Sequence, residues 1–162
     1  MIQRIQTIYL LVVSLLGVFG CFMPLIEFTH GMDFGTLNAI GFMQTSPGSE
    51  DIILDNLWGL MLLSAIIPLI AFVTIWLYNK RMLQIRLTIL NILLMIGYYA
   101  VLGVGIWSIT AKYNPEDFHP QIAIVFPLIN IILSWLAIRG IGKDEAKVRA
   151  AKLGNVEPVP EE

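Results

Sequence analysis

Four long stretches of this chain contain no Asp, Glu, Lys or Arg, and apolar residues fill most of each one. A helix needs about 20 apolar residues to cross the hydrocarbon layer of a bilayer, which is roughly 30 Å thick. Each stretch meets that length, so the pattern predicts an all-α integral membrane protein with four transmembrane helices. The charged residues that bound the stretches are Arg4 and Glu27, Asp55 and Lys80, Arg86 and Lys112, and Asp117 and Arg139, with His119 inside the fourth.

The predicted spans cover about residues 6–26, 57–79, 87–111 and 120–138 of a single membrane domain, 1–153. Short links join spans two, three and four, so consecutive helices must run antiparallel and pack as a bundle. A basic juxtamembrane helix, 139–153, and a disordered tail, 154–162, are predicted to follow. At 162 residues the chain leaves no room for a second folded domain.

Basic residues lie almost entirely on one side of the predicted membrane. Lys and Arg are retained on the cytoplasmic side, whereas Asp and Glu contribute little to orientation. Residues 27–56, between spans one and two, are acidic and contain no Lys or Arg. The link between spans two and three and the segment after span four are basic. The sequence therefore predicts that both termini are cytoplasmic and that residues 27–56 form the larger outer loop.

Small and weakly polar residues recur at heptad spacing along the predicted spans. Such residues let helices associate in membranes, because lipid is as apolar as Leu and offers no hydrophobic driving force. We therefore expect these small-residue stripes to face the interior of the bundle. They comprise Thr7, Ser14, Gly17, Cys21 and Pro24 in span one; Ser64, Pro68 and Ala71 in span two; Gly97, Ala100, Ser108 and Ala111 in span three; and Ala123, Pro127, Asn130, Ser134 and Ala137 in span four.

Several polar residues inside the spans need partners. Pro68 and Pro127 each lack an amide N–H, so a kink is expected at both, with neighbouring helices satisfying the freed carbonyls. Tyr98 and Tyr99 fall mid-span and are expected to find hydrogen-bond partners inside the bundle. Asn91 and Asn130 are predicted to bond across helices. Interhelical contact is favoured over a polar pathway, since no acid, base or His accompanies either Asn.

The first span also resembles a secretory signal peptide, because Arg4 precedes an apolar run. A signal core has about 7–15 residues, whereas this run continues to Ile26, and Phe19 is too bulky for a lipoprotein cleavage box that ends at Cys21. The length favours a retained span. Cys21 is the only cysteine, so an intramolecular disulfide is excluded.

The outer loop, 27–56, is apolar and rich in Gly, so we expect it to fold over the outer surface of the bundle, with a short hairpin as an option and residues 46–49 as its turn. His and carboxylate side chains of both outer segments suit zinc or manganese. Their spacing matches no recognised site, and acidic outer loops follow from topology alone. No catalytic, cofactor or metal site is therefore predicted. The candidate ligands considered are Glu27, His30, Asp33, Glu116, Asp117 and His119.

The segment after span four carries a basic stripe. Arg139, Lys143 and Lys147 recur every four residues, so on a helix they share one face near the lipid headgroups. Anionic lipid is the predicted partner of this stripe. Nucleic-acid binding is not expected, because the charges are few and Asp144 and Glu145 lie among them.

Two segments resemble a known family. The opening, residues 1–11 (MIQRIQTIYLL), and the close, residues 136–149 (LAIRGIGKDEAKVR), are similar to bacterial multi-pass membrane proteins grouped as domain of unknown function 4293. The family pattern continues with Ser and a basic cluster, for which residues 150–153 (AAKL) are a weaker version. The resemblance implies a bacterial inner-membrane protein and no established activity, so no functional residue follows from it.

Three functions are compatible with these features. The first is a non-enzymatic inner-membrane protein that assembles with itself or with a membrane-protein partner, because its spans lack charge yet carry small-residue faces. The alternative is a channel or carrier for a small solute, for which Pro68 and Pro127 are the only sign, since transport sites usually need buried charges or internal repeats. A membrane enzyme would rest on Glu27, His30 and Asp33 alone.

Overall fold

A computed structural model describes residues 3–30, 33–45, 52–77, 80–113, 115 and 117–154. These residues form long α-helices and one antiparallel sheet. The helices are α1 (Gln3–Phe22), α2 (Trp58–Trp76), α3 (Arg81–Tyr113) and α4 (Phe126–Gly154), with a 3-10 helix, Ile122–Val125, directly before α4. The strands are β1 (Ile26–His30), β2 (Asp33–Leu37), β3 (Gly41–Thr45), β4 (Ile52–Asn56) and β5 (Asp117–Pro120).

Three of the described helices are long and apolar enough to cross a membrane: Trp58–Trp76, Arg81–Lys112 and Ile122–Ala146. Helix α1 adds a shorter apolar stretch, Thr7–Phe22. Large apolar side chains cover the outward surfaces of the helices, and Trp58, Trp76 and Trp107 are 72%, 73% and 74% exposed. Apolar exposure of this extent is typical of surfaces that contact lipid. The prediction of membrane-length apolar helices is confirmed for these three.

The helices pack in a ring. Helix α1 contacts α2 and α4, and α3 contacts the same two helices from the other side. Helices α3 and α4 run antiparallel, since Tyr99 meets residues 124–128 while Arg81 faces Glu145. The ends of α1 and α3 and the beginnings of α2 and α4 therefore meet at one end of this helical layer.

The all-α prediction is wrong at that end, where a five-stranded antiparallel sheet lies in the order β4-β3-β2-β1-β5. Strands β1 to β4 form a meander, and β5, from the link between α3 and α4, pairs with β1. Ile26 and Phe28 are buried while Glu27 and Thr29 are partly exposed, which is the period of two that a half-buried strand requires. The sequence predicts no more than a short hairpin in this segment, and the turn expected at residues 46–49 lies outside the described part of the chain.

Aromatic rings form the core of the sheet. The Phe28 ring lies edge-on to Phe42 and to Phe118, with centroids 5.6 and 5.5 Å away. Gly35 lies opposite Phe28, and a Cβ at position 35 would lie 2.6 Å from the Phe42 ring, so glycine is what admits the ring there. Phe28 and Phe42 belong to the same buried cluster as Met95 and Tyr98 of α3, so sheet and helices share one core.

The last helix is longer than expected. Helix α4 continues without interruption from Phe126 to Gly154, so the basic helix predicted for 139–153 is its second half. Arg139 and Lys143 are exposed, and the Arg139 guanidinium lies 5.7 Å from the centroid of the Trp135 ring. Residues 155–162, nearly all of the predicted disordered tail, lie outside the described residues.

Candidate functional site

The buried face of α3 is polar in the half of the helical layer that lies far from the sheet. Helix α3 buries one residue in every three or four, and the series changes from polar to apolar towards the sheet. The facing residues of α4 do not share this gradient, because Ala137 and Ile141 lie between Ser134 and Asp144. The buried series on α3 is Gln84, Thr88, Asn91, Met95, Tyr98, Leu102, Gly105 and Ile109; on α4 it is Asn130, Ser134, Ala137, Ile141 and Asp144, and Ala123 of the preceding 3-10 helix is also buried.

The predicted small-residue stripe faces inward on α2 and α4 but not on α3. Pro68 and Ala71 of α2 are buried, as are Asn130 and Ser134 of α4. On α3, by contrast, Ala100, Ser108 and Ala111 are exposed. The reason is complementarity of size, since α3 supplies the large side chains Met95, Tyr98 and Leu102 that fill the space beside its neighbours' small residues.

Pro68 interrupts the backbone hydrogen bonds of α2, and α1 compensates. Because Pro68 has no N–H, the carbonyl of Ser64 loses its helical donor. The Cys21 thiol lies 3.1 Å from that carbonyl and 3.3 Å from the carbonyl of Gly17, and it can donate to either. The Ser14 hydroxyl donates to the carbonyl of Pro68 over 3.2 Å. The expected rescue by a neighbouring helix is confirmed, with Cys21 as a donor that the sequence did not indicate.

The Tyr99 hydroxyl completes the backbone of α4 beside Pro127. It accepts a hydrogen bond from the Leu128 amide over 3.0 Å and donates one to the Ile124 carbonyl over 2.7 Å. In an uninterrupted helix those two backbone groups would bond to each other. The hydroxyl is therefore inserted into the ladder where the 3-10 turn becomes α4, an arrangement that bends helices. The prediction that Tyr99 finds partners inside the protein is confirmed.

Tyr99→Phe is expected to destabilise the protein by about 1–2 kcal/mol, because two backbone groups lose their shared partner and must rearrange. Unfolding in detergent and amide exchange of residues 122–130 would measure this. Tyr9→Phe is the matched control, since Tyr9 is partly buried on α1 and its hydroxyl has no hydrogen-bond partner among the described residues. Equal effects of the two substitutions would contradict a specific role for Tyr99.

A cavity of about 30 Å³ lies beside Pro127. Asn130 is 2% exposed, and its Oδ1 has no hydrogen-bond partner among the described residues. Every helix contributes to the cavity wall, so the site exists only in the assembled layer. The residues on which the argument depends are Gly17 and Gly20 of α1, Ser64 of α2, Tyr98 of α3, and Phe126 and Asn130 of α4.

The prediction that Asn91 bonds across helices is wrong for the described residues, and for Asn130 no such bond of its Oδ1 is found there. Neither amide atom of Asn91 has a partner in the described part of the protein, and neither does Oδ1 of Asn130. The antiparallel register set by Tyr99 and Arg81 places Asn91 near the level of Ser134, and Asn130 about one turn away. Ser134 Oγ, also buried, is likewise unpaired among the described residues.

A basic groove lies at the end of the helical layer opposite the sheet. Lys80, Arg81 and Arg86 line it together with Glu145. Arg81 Nη1 lies 4.0 Å from Glu145 Oε2, and both side chains are about a quarter exposed, so this ion pair is long and partly screened by solvent. The groove therefore retains positive charge that an anionic group can approach.

The candidate metal ligands do not form a site in the described residues. Glu27 lies directly opposite His119 on β1 and β5, and His30 is paired with Asp33 at the start of β2. Glu116 lies outside the described part of the chain. Within the residues that are described, no group of three or more His, Cys, Asp or Glu is placed to hold a metal ion.

Comparison with models of protein families identifies the family of this chain. The model of a domain of unknown function, DUF4293, matches residues 2–152, so the chain belongs to this family. The resemblance noted in residues 1–11 and 136–149 is thereby confirmed. Comparison with curated proteins finds no match.

Proposed function

We propose that this protein is a non-enzymatic, four-span protein of the bacterial inner membrane, with both termini in the cytosol, that assembles with itself or with a membrane-protein partner. The apolar stretch of helix α1, Thr7–Phe22, covers most of the hydrocarbon layer at about 1.5 Å per residue, which supports α1 as the fourth span. Its packing against α2 and α4 supports this role.

The positions of the charges support the orientation. The sheet joins the link between α1 and α2 to the link between α3 and α4, and these segments carry Glu27 and Asp117. Lys80, Arg81 and Arg86 line the groove at the other end. Since Lys and Arg are retained in the cytosol, the groove end is the cytosolic one. A tag at either terminus should then be reachable by protease from the cytosolic side only, and digestion of both from the outside would overturn the orientation.

The exposed edge of the sheet is the observation that carries the assembly function. All four residues of β5 are exposed, and Phe118 is 44% exposed. Among the described residues, strand β5 pairs with β1 on one side only, so its other edge presents backbone groups to which a strand of another chain can bond. The helical interior is a weaker candidate for a functional site, because among the described residues its buried polar side chains are uncharged apart from Asp144.

Lipid headgroups are the second proposed partner. Arg139 and Lys143 are exposed on α4, near the same end as the basic groove. With Lys147 they continue the four-residue spacing of the predicted stripe. Anionic phospholipids of the cytosolic leaflet attract such charges.

A small-solute channel or carrier is the second candidate function, and the cavity beside Pro127 favours it. Transporters place their substrate sites near the membrane midplane, beside interrupted helices. A volume of about 30 Å³ is far below the roughly 300–1,000 Å³ of ordinary ligand pockets. A carrier would therefore have to open substantially around this cavity, which makes assembly the better supported function.

A photo-crosslinking amino acid at position 118 tests the assembly function in native membranes. Phe118 lies on the exposed edge strand, and Trp107 on the exposed face of α3 is the matched control. We expect protein adducts from position 118 and lipid adducts from position 107. Absence of a protein adduct at position 118 would contradict assembly through this edge. Solute uptake by liposomes that contain the purified protein, in that case, would establish the transport alternative.

A further inference from the structure

The cavity beside Pro127 has the size of a water site. A water molecule needs about 10–15 Å³ of probe-sized space and two to four polar partners. A volume of about 30 Å³ therefore fits about two water molecules. Sugars, amino acids and hydrated ions are larger than this space.

The cavity wall supplies the polar partners that water requires. Asn130 lines the cavity, is 2% exposed, and carries an Oδ1 with no protein partner among the described residues. Tyr98 also lines it, 4% exposed, with a hydroxyl that both donates and accepts. The Ser64 hydroxyl donates to the Met61 carbonyl over 2.8 Å and keeps its lone pairs for a further donor. The wall of one small space thus includes an amide side chain and two hydroxyl-bearing side chains.

The wall does not fit a calcium or transition-metal ion as the occupant. Calcium takes six to eight oxygen ligands, usually including carboxylates, and transition metals need His, Cys or carboxylate side chains. The cavity wall contains neither a carboxylate nor a His. A neutral molecule with both donors and acceptors matches an unpaired carbonyl oxygen beside two hydroxyls.

We propose that this cavity is a binding site for one or two water molecules, which hydrogen-bond Asn130 to Tyr98 and Ser64. The water would satisfy the buried amide oxygen, which has no partner among the described residues. It would also place an exchangeable partner between the two helices that Pro68 and Pro127 interrupt. The site goes beyond the assembly function and does not depend on it.

Hydroxyl-radical labelling of the full-length protein in detergent tests the site, because radicals formed from bound water oxidise the side chains beside it. We expect labelling of Tyr98 in spite of its burial. Met95, fully buried one turn away on the same helix and outside the cavity wall, should stay unlabelled although its sulfur is intrinsically more reactive. An unlabelled Tyr98, or equal labelling of Met95, would overturn the proposal.

Two substitutions assign the water to this cavity. Asn130→Leu removes the amide at nearly constant volume and should abolish the labelling of Tyr98. Asn91→Leu is the matched control, since Asn91 is equally buried but lies outside the cavity wall, and it should leave the labelling unchanged. A loss of labelling in both variants would contradict a local site.

Gly20→Ala keeps the proposal testable if Asn130→Leu does not fold. A Cβ at position 20 would lie 3.6 Å from the Phe126 ring, an ordinary contact, so the variant should fold while reducing the space beside Phe126. Reduced labelling of Tyr98 is expected. Labelling equal to that of the natural protein would count against water in this cavity.

Discussion

Phe28→Ala is expected to destabilise the protein by about 3–5 kcal/mol, the usual cost of truncating a fully buried Phe. Phe28 is 3% exposed, and its ring contacts Phe42 of β3 and Phe118 of β5. The Phe28 side chain on β1 therefore contacts both β3, within the meander, and β5, which comes from the link between α3 and α4. Its removal leaves a cavity at the centre of the sheet and deletes both aromatic contacts.

Two measurements check this expectation. Thermal unfolding in detergent reports the loss of stability, and limited proteolysis of residues 26–56 reports whether the sheet has loosened. Phe22→Ala is the matched control, because Phe22 is 84% exposed at the end of α1 and its truncation removes little buried area. Unchanged protection of the sheet in Phe28→Ala, or equal destabilisation by the control, would contradict the role assigned to Phe28.

The membrane-length helices could be predicted because length and the absence of charge are local properties. Trp58–Trp76 and Arg81–Lys112 follow from counting residues between charged positions. The sheet could not be predicted in the same way. Its alternation is interrupted by Gly35 and Gly41, and β5 is four residues long and ends in Pro120. The pairing of β1 with β5 joins segments about 90 residues apart, which local periodicity does not report.

The sequence could predict which residues of each helix face the candidate site, but not how far the helices are shifted along one another. Heptad spacing correctly predicts that Asn130 and Ser134 face inward, because that spacing depends on one helix alone. The interhelical hydrogen bond predicted for Asn91 is absent among the described residues, because such a bond depends on how far α3 is shifted along α4. That shift is set by close packing, which sequence periodicity leaves undetermined.

The backbone hydrogen bonds lost near the two prolines are replaced in the same way. At Pro68 a thiol from α1 lies within hydrogen-bond distance of the freed carbonyl, and near Pro127 a hydroxyl from α3 bridges the broken ladder. Each donor comes from a neighbouring helix rather than from the interrupted one. The helical layer therefore compensates for its own breaks only when it is assembled, which couples helix packing to backbone hydrogen bonding.

Gly17→Leu is expected to separate α1 from α2 and to cost about 2–3 kcal/mol, the upper part of the range for overpacking a close contact. A Cβ at position 17 would already lie 3.0 Å from Cβ of Pro68, and the remaining atoms of Leu have no space between the helices. Displacement of α1 would also break the contacts of Ser14 and Cys21 with α2. Gly17→Ala should give a smaller loss in the same direction.

Cys21 provides a direct readout of that separation, since it is the only thiol in the chain. Its Sγ lies 3.1 Å from the Ser64 carbonyl, so moving α1 away should expose it and raise its rate of maleimide labelling in detergent. Gly103→Leu is the matched control, because Gly103 is exposed on α3 and nothing lies within 4 Å of a Cβ there. Stability and labelling should be unchanged in the control. If Gly17→Leu left both unchanged as well, close packing of α1 on Pro68 would not be what holds these two helices together.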